Sequence, residues 1–138
     1  MNLPVINHPD YFAKINDDNK FPIKKFGALA EYLLKNRIVK KFHIPEECSI
    51  NTLKSSHSLE YINHIKNKTL DIKLQKKIGF PINDSVVRRS FVATGGTGLA
   101  SKLALDSKLA CNTAGGSHHA SYDYGAGYCV FNDVAVAA

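Results

Sequence analysis

The sequence runs Leu109-Ala110-Cys111-Asn112 and then directly into Thr113-Ala114-Gly115-Gly116-Ser117-His118-His119-Ala120. The first four residues read as a short buried strand and the next eight as a glycine-rich loop carrying polar side chains. A strand opening into such a loop is the usual placement of functional groups in α/β folds, where ligands gather at the carboxyl ends of parallel strands. The feature therefore predicts an α/β architecture with a site in residues 113–120.

The rest of the chain supplies elements for that architecture. Residues 3–7 form an apolar run ending at His8-Pro9, where proline stops regular structure, so they are expected to be a first strand feeding a loop that lasts to about Pro22. From Phe26, the positions Phe26, Leu29, Ala30, Leu33 and Leu34 share one helical face. Ser58 can cap a helix carrying Leu59, Ile62 and Ile65, and a shorter helix is expected over residues 70–78. Gly79-Phe80-Pro81 marks a turn, after which Asp84 or Ser85 can cap a longer helix reaching Leu105. Its Gly95-Gly96-Thr97-Gly98 stretch is poor helix material and lacks both phosphate-loop spacings, so close helix packing explains it better. Asn132 and Asp133 suit a cap and a first-turn carboxylate for a final helix.

Composition removes several function classes. With 44% apolar and 22% charged residues in 138, the chain suits one soluble domain with a real core. No apolar run approaches the roughly 18 to 20 residues of a membrane span, and the N-terminus lacks a basic region followed by an apolar one. Cys48, Cys111 and Cys129 form no Cys-x-x-Cys pair, which argues against a disulfide framework or zinc ribbon and suggests reduced thiols in the cytoplasm. The formal charge of +6 comes from 15 Lys and 3 Arg, scattered and concentrated before residue 91, far in sequence from the histidines. A nucleic-acid-binding domain is disfavoured by that pattern.

Two adjacent histidines can aim at one point only from an irregular backbone, which Gly115-Gly116 permits. One imidazole can then take a proton from an attacking water while its neighbour supplies charge or a proton to the departing group. On the pair alone, a surface loop with two solvated histidines is the favoured reading.

The surrounding run decides between them. Ala114-Gly115-Gly116-Ser117-His118-His119-Ala120 followed by Gly125-Ala126-Gly127-Tyr128-Cys129-Val130-Phe131-Asn132-Asp133 closely resembles the double-histidine signature of the histone-deacetylase-like family, in the arginase/deacetylase superfamily. Tyr128 stands where that family most often has Phe. Weaker matches fall in the same order: His8-Pro9 with Pro22 and Lys25, then His57-Ser58-Leu59-Glu60-Tyr61-Ile62, then Gly95-Gly96-Thr97. The glycine-rich variant around the histidines is reminiscent of the class IV and bacterial branches.

The resemblance implies a three-layer α/β/α fold with a mainly parallel sheet, of which residues 1–138 are the N-terminal part of a single deacetylase-like domain. It implies hydrolysis of the amide of an acetylated lysine, in a peptide, or of a small acetylated amine. His118 and His119 become the tandem catalytic histidines, with His119 as general base or acid and His118 as its electrostatic partner. Gly127 offers its carbonyl to the substrate amide N–H, and Tyr128 walls the channel around the acyl-lysine stem. Cys129 reads as a small buried hydrophobe beside the site. The segment from His57 reads as packing through Tyr61 and Ile62, with His57 near a loop.

The family's metal is Zn2+, with ferrous iron left open, and its ligands lie on a strand after the helix that starts near Asn132 and further on. The metal ligands are therefore expected beyond residue 138, and residues 1–138 alone are expected to be inactive, with uncovered strand edges and poor solubility. The competing expectation is a catalytically inactive truncated product serving as a binding or assembly module.

Overall fold

The computed structural model describes residues 3–138. Met1 and Asn2, which begin the stretch read for a leader, lie outside the described residues. Strand β1 (Val5–Ile6) pairs in parallel with β2 (Cys111–Asn112), placing Val5 opposite Cys111 and Ile6 opposite Asn112. His43 flanks β1 on its other side: its N–H donates to the Val5 carbonyl at 2.9 Å and its carbonyl accepts from the Asn7 N–H at 3.2 Å. Strand β1 is thus central, and Val5 and Ile6 are buried. The buried strand expected over residues 109–112 needs correction. Among the described residues β2 has β1 as its one neighbour, so it is an edge, with Leu109 and Cys111 exposed.

Pro9 does not end the order begun by β1. It opens a 3-10 turn, Pro9–Tyr11, where its missing N–H is no loss because a first helical position has no acceptor to reach. Helix α1 (Lys25–Lys35) follows the predicted spacing, yet only Phe26 of it is buried. A single turn, α2 (Ile50–Leu53), is too short for any periodicity to reveal. Helix α3 (Leu59–Lys66) starts as read, the Ser58 hydroxyl accepting from the Tyr61 N–H at 3.1 Å. Its Tyr61, Ile62 and Ile65 enter the core with Leu53, Ile78, Val92 and Phe131. Each such side chain contributes roughly 1.5–3 kcal/mol on burial.

Helix α4 (Ile72–Ile78) begins at the Asp71 cap rather than at Leu70, and ends on Gly79, whose φ of +89° is the left-handed conformation glycine accepts freely. Helix α5 (Asp84–Ser107) is capped by Asn83, not by Asp84 or Ser85. The choice has a tertiary cause. The Asn83 amide also donates to the Lys14 carbonyl at 2.8 Å, and its oxygen accepts from the Ser85 hydroxyl at 2.8 Å. Helix α6 (Asp133–Ala137) closes the described chain with Asn132 as its cap.

Two of the three glycines inside α5, Gly95 and Gly96, are close-packing positions, as read, and Gly98 is not. At Gly95 a Cβ would collide with the Glu46 backbone carbonyl, and here the Cys48 N–H reaches the Phe91 carbonyl at 3.0 Å. At Gly98 a Cβ would meet open space. Gly95→Ala is therefore expected to destabilise the protein by about 1–3 kcal/mol through overpacking. Gly98→Ala is expected to stabilise it by up to about 1 kcal/mol through helix propensity. Opposite shifts of the two thermal melting points check the pair.

Candidate active site around the paired histidines

The loop that follows β2 is fixed from below by one carboxylate. Asp133 is 1% exposed, and its oxygens accept from the Gly116 N–H at 3.0 Å, from the Ser117 N–H at 2.6 Å, and from the Thr97 hydroxyl. Gly116 has a φ of +96°, which lets two consecutive N–H groups turn inward onto the same carboxylate. Thr97 in turn accepts from the Asn112 amide at 2.9 Å, and the Asn112 carbonyl accepts from the Tyr11 hydroxyl at 2.7 Å. Burial pushes the Tyr11 phenol pKa up, so it remains a donor throughout the physiological range. A continuous polar network thus runs from the 3-10 turn through β2 and α5 to the loop. Asp133 does more than occupy the first turn of α6, and a Cβ at Gly96 would intrude on this network between Tyr11 and Asn112.

On that support His118 and His119 lie side by side, ring centroids 4.2 Å apart and planes inclined at 40°. The His118 Nδ1 lies 2.8 Å from the Gly116 carbonyl, which orients its ring, and both histidines are exposed. His119 borders a cleft of about 270 Å³ shared with Ser117, Arg89, Gly127, Tyr128 and Cys129. The residues expected to form a site are therefore together.

Gly127 and Tyr128 both adopt left-handed backbone, with φ of +53° and +64°. A Cβ on Gly127 would press on the His119 ring at 3.2 Å, so the glycine is required for close approach. Tyr128, a bulky residue in that conformation, is held by its N–H donating to the Ile78 carbonyl at 2.7 Å. Its ring packs against Phe21 at 5.1 Å and Phe80 at 5.3 Å. The aromatic wall read from one residue is a cluster of three. Cys129 is buried, and its thiol donates weakly to the Gly127 carbonyl at 3.5 Å.

Arg89 is a site neighbour that spacing did not reveal. It is 6% exposed, its Nε donates to the Tyr11 carbonyl at 2.9 Å, and its guanidinium lies 4.8 Å from the centre of the Phe26 ring. Burial lowers its pKa to about 10, which still leaves it cationic at neutral pH. Among the described residues no group of three or more His, Cys, Asp or Glu converges to hold a metal ion. No metal ligand is assigned within them.

The fold matches that of an HDAC homologue crystallised with SAHA: the superposition covers 99% of this chain and 40% of the homologue's, with a TM-score of 0.82 at 22% identity. The fold is therefore the three-layer α/β class that the sequence implied. The model of the histone deacetylase domain matches residues 20–138, and the chain belongs to that family. It is 40% identical to an uncharacterised protein of Picosynechococcus sp., over 99% of this chain and 46% of the relative. It is 28% identical to Histone deacetylase 2 of Arabidopsis thaliana, over 91% of this chain and 34% of that protein. The chain thus spans less than half the length of these curated relatives.

Proposed function

We propose that the protein carrying this chain hydrolyses the amide of an acetylated lysine, in a peptide, or of a related small acetylated amine. The observation that carries the reading is the paired imidazoles of His118 and His119 beside Gly127 and Tyr128, in a chain of the histone deacetylase family. His119, which borders the cleft, takes the proton of the attacking water and returns it to the departing amine. His118, oriented through its Nδ1 and packed on its neighbour, steadies the charge that develops there. The Gly127 carbonyl accepts from the substrate amide N–H, and Tyr128 with Phe21 and Phe80 buries the methylenes of the lysine stem.

We read residues 1–138 as the N-terminal part of one deacetylase domain, and place the ligands of a zinc ion outside them. Zinc, when bound, polarises the amide carbonyl and activates water. The described residues bring together no group of three or more His, Cys, Asp or Glu that would form its site. No helix among the described residues is long and apolar enough to cross a membrane, and Cys48, Cys111 and Cys129 are free thiols. These features support a reducing, cytoplasmic setting.

The test is hydrolysis of an acetyl-lysine peptide and of an N-acetylated diamine by the whole gene product, with and without a chelator. Turnover that the chelator abolishes and added zinc restores is the expected result. A folded, metal-loaded protein that turns over neither substrate would leave the inactive binding module as the better reading.

A further inference from the structure

His57 lies in the turn before α3, 1% exposed, between the rings of Tyr61 at 5.8 Å and Phe131 at 5.3 Å. Packing alone asks for an apolar ring there. A histidine instead carries two polar nitrogens into the core, and among the described residues one of them, Nδ1, has no hydrogen-bond partner. An orphaned buried nitrogen is unfavourable, so the other nitrogen must do something a phenyl ring cannot.

That nitrogen, Nε2, accepts the backbone N–H of Asn132 at 2.9 Å. Asn132 is the junction between α6 and the histidine loop. Its side-chain oxygen caps the helix at the Ala135 N–H, 3.0 Å away, while its amide donates to the carbonyls of Ala120 at 3.1 Å and His118 at 3.4 Å. The residue after His57 adds a second tie, the Ser58 N–H donating to the Tyr122 carbonyl at 2.9 Å. From these contacts we infer that His57 is a positioning residue of the reaction: it fixes the Asn132 backbone and thereby the register of the loop carrying His118 and His119.

The hydrogen bond also sets the ring's protonation. An Nε2 that accepts an N–H carries no proton, so Nδ1 holds the single proton and the ring is neutral. Burial favours that neutral form, while the Ser121 and Tyr122 backbone opposes it without completing a bond to Nδ1. A protonated ring would set an N–H against the Asn132 N–H and break the tie. The inference rests on the deacetylase reading for its catalytic meaning, while the mechanical link stands on the contacts themselves.

The experiment compares His57→Phe, His57→Gln and His57→Asn in the whole gene product. Glutamine places an acceptor near the Nε2 position, asparagine near Nδ1, and phenylalanine keeps the ring with no acceptor. Expected are a fall in kcat of tenfold or more for the Phe and Asn variants with KM within about twofold, partial rescue by Gln, and faster amide hydrogen exchange over residues 116–124 in Phe and Asn only. If the Phe variant does not fold, the Gln and Asn pair still decides the matter. Equal kcat and equal exchange in that pair, or wild-type kcat in Phe, overturns the role. Hydrogen exchange reads the link even if the wild-type protein hydrolyses no acetylated amine, so the two readings fail separately.

Discussion

Replacing Asp133 with alanine is expected to destabilise the protein by about 3 kcal/mol or more, because charge-assisted hydrogen bonds contribute roughly 1.5–3 kcal/mol each. Two backbone donors, at Gly116 and Ser117, and the Thr97 hydroxyl lose their acceptor at once. Asparagine is not a neutral exchange: only one of its two terminal atoms accepts, and its NH2 group faces an N–H. Asp133→Asn should therefore fall between wild type and alanine. Thr97→Val removes one donor to Asp133 and one acceptor of the Asn112 amide, which keeps the Ala93 carbonyl, and it leaves both backbone bonds, so it should be the mildest. Thermal melting of the three variants checks the order, with a fall of roughly 10 °C anticipated for alanine. A melt for Asp133→Ala within a degree or two of wild type would contradict the anchoring role.

His119→Ala is expected to leave the melting point almost unchanged and to lower kcat by about 100- to 10,000-fold, the range for loss of a positioned proton-transfer group. The two effects separate because His119 is exposed and supports no core contact, and surface substitutions stay within about 0.5 kcal/mol. His118→Ala should lower kcat less, since that ring stands beside the proton-transferring one and is itself tied to the Gly116 carbonyl. Steady-state kinetics on an acetyl-lysine peptide, with both variants loaded with the same metal, give the comparison. A larger loss in His118→Ala would reverse the assignment of roles.

What could be read from the sequence was whatever is written in adjacent residues. The Ser58 cap, the Gly79 stop and the helix from Phe26 all follow from spacing or local backbone preference, and the structure has each of them, although of that helix's apolar face only Phe26 is buried. The histidines, Gly127 and Tyr128 were legible because a contiguous run carries them. The support beneath them was not. The Tyr11 hydroxyl meets Asn112 across 101 positions, and Thr97 meets Asp133 across 36, so no local pattern encodes either bond. The cap of α5 shows the same limit at short range. Asn83, Asp84 and Ser85 are all good capping residues, and a contact with Lys14, distant in sequence, favours the first. At residues 109–112 apolar content suggested burial, whereas among the described residues the strand has β1 as its one neighbour and Leu109 and Cys111 are exposed.

The pairing of β1 with β2 also dictates an order of events during synthesis. Val5 leaves the ribosome long before Cys111, its partner in the sheet, and at about 5–20 residues per second the interval is roughly 5–20 s. Through that time the apolar Val5 and Ile6 have no β2 to pair with, while α1, α3 and α4 need only local contacts to begin forming. The loop of His118 and His119 springs from β2, the later of the two paired strands, and is anchored by Asp133, which arrives later still. The histidine loop is therefore tied down only after β1 and the intervening helices have been made, and a nascent chain paused before residue 133 holds its histidines without their anchor.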